Sequence, residues 1–173
     1  MLKKIIIIAL SFLLYANSVI SNDLKIVYVD IDKIINQSDV GKDVTKQIDN
    51  LNNKNIKEFK EKEKKLSNEE KNIIKQKNIL AKEEFEKKVI VLQENVRNFK
   101  KEINASRISL DKKRLEATSK ILNVLNPILS EYSAKNSISL IMQKKNIVIG
   151  KSDLDITSEI LKLVNAKIKS LKL

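Results

Sequence analysis

The sequence predicts a mostly α-helical protein: a long antiparallel helical hairpin, packed as a coiled-coil arm, on a small β-strand body that a C-terminal helix completes. Three observations predict it. Residues 42–135 hold no glycine and a single proline, Pro127, among many Lys, Glu, Asn, Ile and Leu, which favours long helices over loops. Phe85, Val89, Leu92, Val96, Phe99 and Ile103 recur at alternating steps of four and three, the heptad seam of a coiled coil. Short β-branched runs lie outside that stretch, at Leu24–Ile31, Ile138–Gln143 and Asn146–Ile149.

The chain opens with Met1-Leu2-Lys3-Lys4, a cationic start, followed by Ile5–Ala16, apolar except for Ser11, and then a small polar stretch to Asn22. This is the three-part layout of a secretory signal. Cleavage is expected between Ser21 and Asn22, with cleavage after Ser18 as the alternative. The apolar run is shorter than the ~20 residues of a spanning helix, although an uncleaved anchor is the competing reading. No cysteine stands near the site, so lipoprotein processing has no residue to act on. The signal is expected to send the chain out of the cytoplasm. The expected division is a signal at 1–21, the first strand of the body within 22–40, the arm over 41–135 with its tip near 78–82, and two strands with a C-terminal helix over 136–173.

The arm's two halves can be set against each other. In an antiparallel hairpin, facing positions share a constant sum. Phe59 with Phe99, Leu66 with Leu92, Ile73 with Phe85 and Ile48 with Leu110 all give 158. The pivot falls near residue 79, just before Glu83-Glu84, acidic residues that suit a new helix N-terminus. One continuous helix is the alternative, but it would leave the seam exposed. The first half of the arm, residues 42–78, projects roughly 55 Å at 1.5 Å per residue. Beyond residue 117 the second helix has no partner in the first, yet it becomes denser in apolar residues: Ile121, Leu122, Val124, Leu125, Ile128, Leu129 and Tyr132. These are expected to pack on the small sheet, with a bend at Pro127.

In the body, Lys144-Lys145 is read as a tight turn joining Ile138–Gln143 to Asn146–Ile149. Asp155 is expected to cap a last helix on which Ile156, Ile160, Val164 and Ile168 recur every four residues. Short, few strands leave unpaired edges. Ile26, Tyr28, Leu140, Ile147 and Ile149 are therefore assigned to a sheet completed by neighbouring subunits, a monomer with covered edges being the alternative.

Composition removes several function classes. There is no Cys and no His, so thiolate nucleophiles, imidazole bases, disulfides and the common zinc sites lack their side chains. Only Gly41 and Gly150 are glycines, too few for a loop cradling phosphates. Asp30, Asp32 and Asp39, and Asp153 with Asp155, could bind a cation or act as acid and base, but capping and turn roles explain them better. No catalytic, metal or cofactor residue is assigned, and the chain is read as a non-enzyme.

Charge is concentrated on the arm. The formal net charge is +12, and residues 54–114 hold 19 basic against 11 acidic residues. A solvated, ion-paired helix surface is one reading. The other is an electrostatic lure for anionic partners, with Lys57, Lys60, Lys64, Lys65, Lys100 and Lys101 as the contact surface.

Taken together, the signal, Lys25-Ile-Val-Tyr-Val-Asp-Ile-Asp-Lys-Ile-Ile35, the charged hairpin, Asn126-Pro127-Ile128-Leu129, the Ile138–Ile149 segment and Ser152-Asp-Leu-Asp-Ile-Thr-Ser-Glu-Ile-Leu161 resemble the OmpH/Skp family of periplasmic chaperones. The resemblance covers essentially the whole mature chain. It implies a homotrimer with a central β-barrel body and three hairpin tentacles around a cavity. It implies ATP-independent holding of unfolded outer-membrane proteins, and contact of basic arm residues with an anionic membrane or lipopolysaccharide surface. Two other classes remain: a periplasmic coiled-coil scaffold binding one folded partner, and a nucleic-acid binder. The signal and the lack of aromatics among the basic residues argue against nucleic acid.

Overall fold

The computed structural model describes residues 24–173; the predicted signal, with its cleavage point at Ser21 and Asn22, lies outside the described residues. The elements run β1 (Ile26–Val29), α1 (Ile31–Gln37), α2 (Asp39–Gln76), α3 (Lys82–Lys135), β2 (Leu140–Gln143) and α4 (Thr157–Lys167), with short 3-10 turns at Lys144–Asn146 and Ser152–Leu154.

α2 and α3 form the hairpin. α2 has 38 residues and so extends about 57 Å at 1.5 Å per residue. Backbone N–H groups of Ile79 and Leu80 fold back onto the Gln76 carbonyl, which closes α2 before α3 begins. Glu83 and Glu84 occupy the first turn of α3, where carboxylates favour the positive helix end. The predicted register is met at Phe59 and Phe99, whose rings touch edge to face. Ile48 and Leu110 share one buried cluster nearer the body. α3 continues through Pro127 without a break in the helix.

The body is built where α3 outruns α2. Val27 and Val29 of β1, Ile34 of α1, Ile121, Leu125 and Ile128 of α3, and Ile160 and Val164 of α4 form one buried core. Burial on this scale stabilises by roughly 1.5–3 kcal/mol for each large aliphatic side chain removed from water. Thus the apolar stripe of α3 beyond residue 117 does pack on the body. The sheet has two strands, paired in parallel with Ile26 opposite Leu140 and Val29 opposite Gln143. Crossing from β1 to a parallel β2 takes the whole hairpin, which makes the arm an oversized crossover connection.

Two expectations are corrected. Asn146–Ile149 is not a strand. Lys144–Asn146 turn as a 3-10 helix, and Val148 and Ile149 stand 97% and 91% exposed, with no strand among the described residues to pair them. The segment from Ile31 onward does not continue the first strand. Asp30 accepts from the Lys33 N–H and starts a helix there.

The junction of α1 and α2 is tight. Ser38 is fully buried, donates its N–H to the Ile34 carbonyl and accepts the Gly41 N–H on its hydroxyl. A Cβ at Gly41 would lie 1.7 Å from the Ile35 carbonyl oxygen, so only glycine permits this approach.

Candidate functional site: the arm and the open sheet face

Two surfaces carry the features that the sequence points to. The first is the arm. Its seam thins away from the body, because α2 supplies roughly one apolar residue per heptad there. Phe59, Leu66, Phe85, Leu92, Val96 and Phe99 are only half-buried, whereas Ile73 is buried. The incomplete seam opens grooves between the helices. One of about 660 Å³ has Leu66, Leu92, Val96 and Phe99 on its walls. Another of about 590 Å³ lies toward the tip beside Ile73, Val91 and Lys65.

Around these grooves the arm is cationic. Lys57, Lys60, Lys64, Lys65, Lys100 and Lys101 are all exposed, and none of the six belongs to an ion pair among the described residues. Lys65 borders the groove near the tip, and Lys100 borders the larger one. The cross-arm bonds that do form, Lys62 to Glu102, Asn55 to Ser106 and Lys88 to Gln76, hold the helices together without neutralising those six. A surface of this kind offers long-range attraction and scattered apolar contact, with no enclosed pocket.

The second surface is the outer face of the sheet. Strand alternation puts Val27 and Val29 into the core and turns Ile26, Tyr28, Leu140 and Met142 the other way. Ile26, Leu140 and Met142 are exposed. Tyr28 differs from the sequence reading, being covered by its own chain. Its hydroxyl donates to the Lys151 carbonyl, Gly150 passes close to its ring, and the Lys144 ammonium sits 5.9 Å above it. Ile147 is half-buried and Ile149 fully in solvent, both in the loop after β2 and neither in the sheet. β1 is flanked on its far side by Asp155, bridged to Tyr28, while the far edge of β2 carries no strand among the described residues.

Asp155, read from the sequence as the cap of α4, stands one residue before the cap position, Ile156, which has no side-chain cap bond, and instead ties the loops of the body together. It accepts from the Thr157 N–H and hydroxyl and pairs with Lys144 at 2.9 Å. Partial burial would push its carboxyl up, but the Thr157 hydroxyl, the Lys144 ammonium and the Thr157 N–H together hold it below the usual carboxylate range. The hydrogen bond and charge of Asp155 raise Lys144 above the ordinary lysine value. Asp30 and Asp39 serve helix starts at α1 and α2.

The comparisons with known proteins agree with this architecture. Residues 25–164 match the family described as outer membrane protein (OmpH-like), and the chain belongs to that family. This is a chaperone family, not one of enzymes. None of the curated proteins compared matches the chain. Among solved structures, the crystal structure of an OmpH-like protein from Caulobacter crescentus CB15, described as a candidate outer membrane chaperone, superposes with a TM-score of 0.81 at 18% identity, covering 87% of this chain and 89% of that one. At that identity the likeness establishes the shared fold.

Proposed function

We propose that this member of the OmpH-like family is an ATP-independent holdase of the periplasm, which keeps unfolded outer-membrane proteins soluble between its basic arms. The observation that carries the reading is the arm: a thinly packed hairpin with open apolar grooves, two of them bordered by Lys65 and Lys100, and six exposed lysines outside any ion pair among the described residues. Unfolded barrel proteins present apolar residues at alternate positions along each strand segment. Cationic arms attract chains of net negative charge over about a Debye length, and many weak apolar contacts then retain them. Nothing in this scheme consumes a nucleotide.

The working unit in this reading is a homotrimer. Its support is the open face of Ile26, Leu140 and Met142, the edge of β2 that carries no strand among the described residues, and the exposed Val148 and Ile149 in the loop that follows. Edges and faces of this kind are ordinarily covered by another chain. Three copies joined at the body would stand their arms around a shared space. The signal at residues 1–21 supplies the route to the periplasm, and the surplus of arm lysines also suits an anionic membrane or lipopolysaccharide surface.

The test is to hold a denatured β-barrel protein in dilute buffer with the purified mature chain, in the absence of ATP, after measuring the chain's mass in solution. Soluble complexes formed by a trimer support the reading. Aggregation at the rate seen without the chain, or capture of one folded envelope protein only, contradicts it.

A further inference from the structure

The segment that follows α4 lies beyond the residues 25–164 shared with the family, and it does something specific. From Ile168, which is extended at φ −147° and ψ 130°, it runs along the root of the arm. Its last three residues alternate. Leu171 and Leu173 are half-buried, with Lys172 exposed between them, and both leucines pack on the cluster of Val44, Ile48, Leu110 and Ala117. Leu171 also touches the core of the body, so it sits where the two apolar clusters meet.

The backbone of this segment is recognised by side chains of α2. The Gln47 amide nitrogen donates to the Leu171 carbonyl at 2.6 Å, and the Gln47 amide oxygen accepts from the Leu173 N–H at 3.3 Å. Asp43 accepts from the Leu171 N–H at 3.3 Å and from the Gln47 amide at 2.8 Å, which fixes the amide's orientation. One glutamine thus presents a donor to the Leu171 carbonyl and an acceptor to the Leu173 N–H, the pairing pattern that a neighbouring strand would offer. Such a site reads backbone groups together with two apolar residues that flank one exposed position. It makes little demand on what stands between them.

We infer that the arm root is a binding groove for an extended segment with alternating apolar residues, and that residues 168–173 occupy it as a built-in competitor. The ligand class is the same one that unfolded barrel strands present, so the inference rests on the proposed holdase function and deepens it by placing one client contact at the base of the arm. A segment tethered in cis acts at an effective concentration of millimolar order, so a weak client strand enters only when other arm contacts hold it nearby.

The probe is a fluorescein-labelled hexapeptide Ile-Lys-Ser-Leu-Lys-Leu, with the sequence of residues 168–173, followed by polarisation. It is titrated onto the mature chain, a variant lacking residues 168–173, and the full-length double variant Leu171→Ser, Leu173→Ser, which frees the groove while keeping the chain length. Circular dichroism verifies that each keeps its helix content. The expected result is affinity at least about tenfold higher for both variants than for the parent, reflecting removal of the tethered competitor. Adding Gln47→Ala to either variant should abolish that gain, and a hexapeptide of the same composition in the order Leu-Leu-Ile-Lys-Ser-Lys should not compete. An unfolded barrel protein should displace the probe. No binding to either variant, or binding unaffected by Gln47→Ala, overturns the groove. Probe binding that a held barrel protein never displaces overturns the client site and leaves the holdase function standing. Conversely, probe binding by variants that fail to hold any barrel protein overturns the function and not the groove.

Discussion

Phe59 of α2 and Phe99 of α3 meet edge to face with ring centroids 6.0 Å apart and planes inclined by 72°. They are the aromatic clasp of an otherwise thin seam. An edge-to-face pair is worth about 0.5–1.5 kcal/mol beyond its buried area. Removing either ring should therefore loosen the arm and spare the body. A double-mutant cycle of Phe59→Ala and Phe99→Ala, read by thermal unfolding, should give a coupling energy in that range. Hydrogen exchange should quicken in residues 52–106 while the amides of α4 keep their protection. Equal loosening of α4 would show that the arm and body unfold as one unit.

Gly41→Ala should be among the most damaging single changes in the chain. The added methyl meets the backbone carbonyl of Ile35, which has no rotamer to yield, so α1 must shift against α2. Overpacking of this kind costs about 1–3 kcal/mol. Ser38→Ala removes the cap of the same helix and should cost about 1 kcal/mol. The midpoint of urea unfolding should fall in that order, and a neutral Gly41→Ala would refute the close approach.

Much of this was readable in advance, for physical reasons. The hairpin register follows from heptad spacing, because facing a coiled coil's seams in the wrong register strands Phe59 or Phe99 in water. The core of α3 was visible as apolar density beyond the reach of α2. Asn146–Ile149 misled because β-branched residues favour a strand only where a partner strand exists, and here Val148 and Ile149 have none. The place of Tyr28 on the strand points to an interface, but the close pass of Gly150, which no local sequence signal marks, closes the chain over its ring. The contacts of Leu171 and Leu173 with Asp43 and Gln47 span more than a hundred positions, and no local pattern marks them. Charge density along the arm is the only sequence signal that points to the six lysines. The structure leaves them exposed and outside any ion pair among the described residues.

The body should weaken on acidification through Asp155. Its carboxyl is held below the usual range in the folded chain, so its contribution is present above the ordinary carboxylate pKa and is lost as pH falls through the lower folded value. The charged pair with Lys144 is exposed on the lysine side, so solvent screening keeps the effect small. Melting temperature followed from neutral pH down to about pH 3 should drop less steeply for Asp155→Asn than for the parent. Parallel curves would exclude Asp155 as the source.

Ile26→Asp should separate assembly from folding. The side chain stands on the open face of the sheet, opposite Leu140, so a charge there is tolerated in a lone protomer and costly once a neighbour covers it. Light scattering should show the mass falling to that of a single chain, with helix content unchanged by circular dichroism. An unchanged mass would mean that this face is not the one covered.

The central claim is capture by a cationic arm, and the most direct measurement is the association rate of an unfolded, acidic barrel protein at several salt concentrations. The parent should bind about tenfold or more faster at low salt than a variant carrying Lys57→Glu, Lys60→Glu, Lys100→Glu and Lys101→Glu, with the two rates converging as salt screens the arm. Dissociation, governed by apolar contact, should change little with salt. Equal association rates at low salt, or a requirement for ATP before the client is held, would contradict the account.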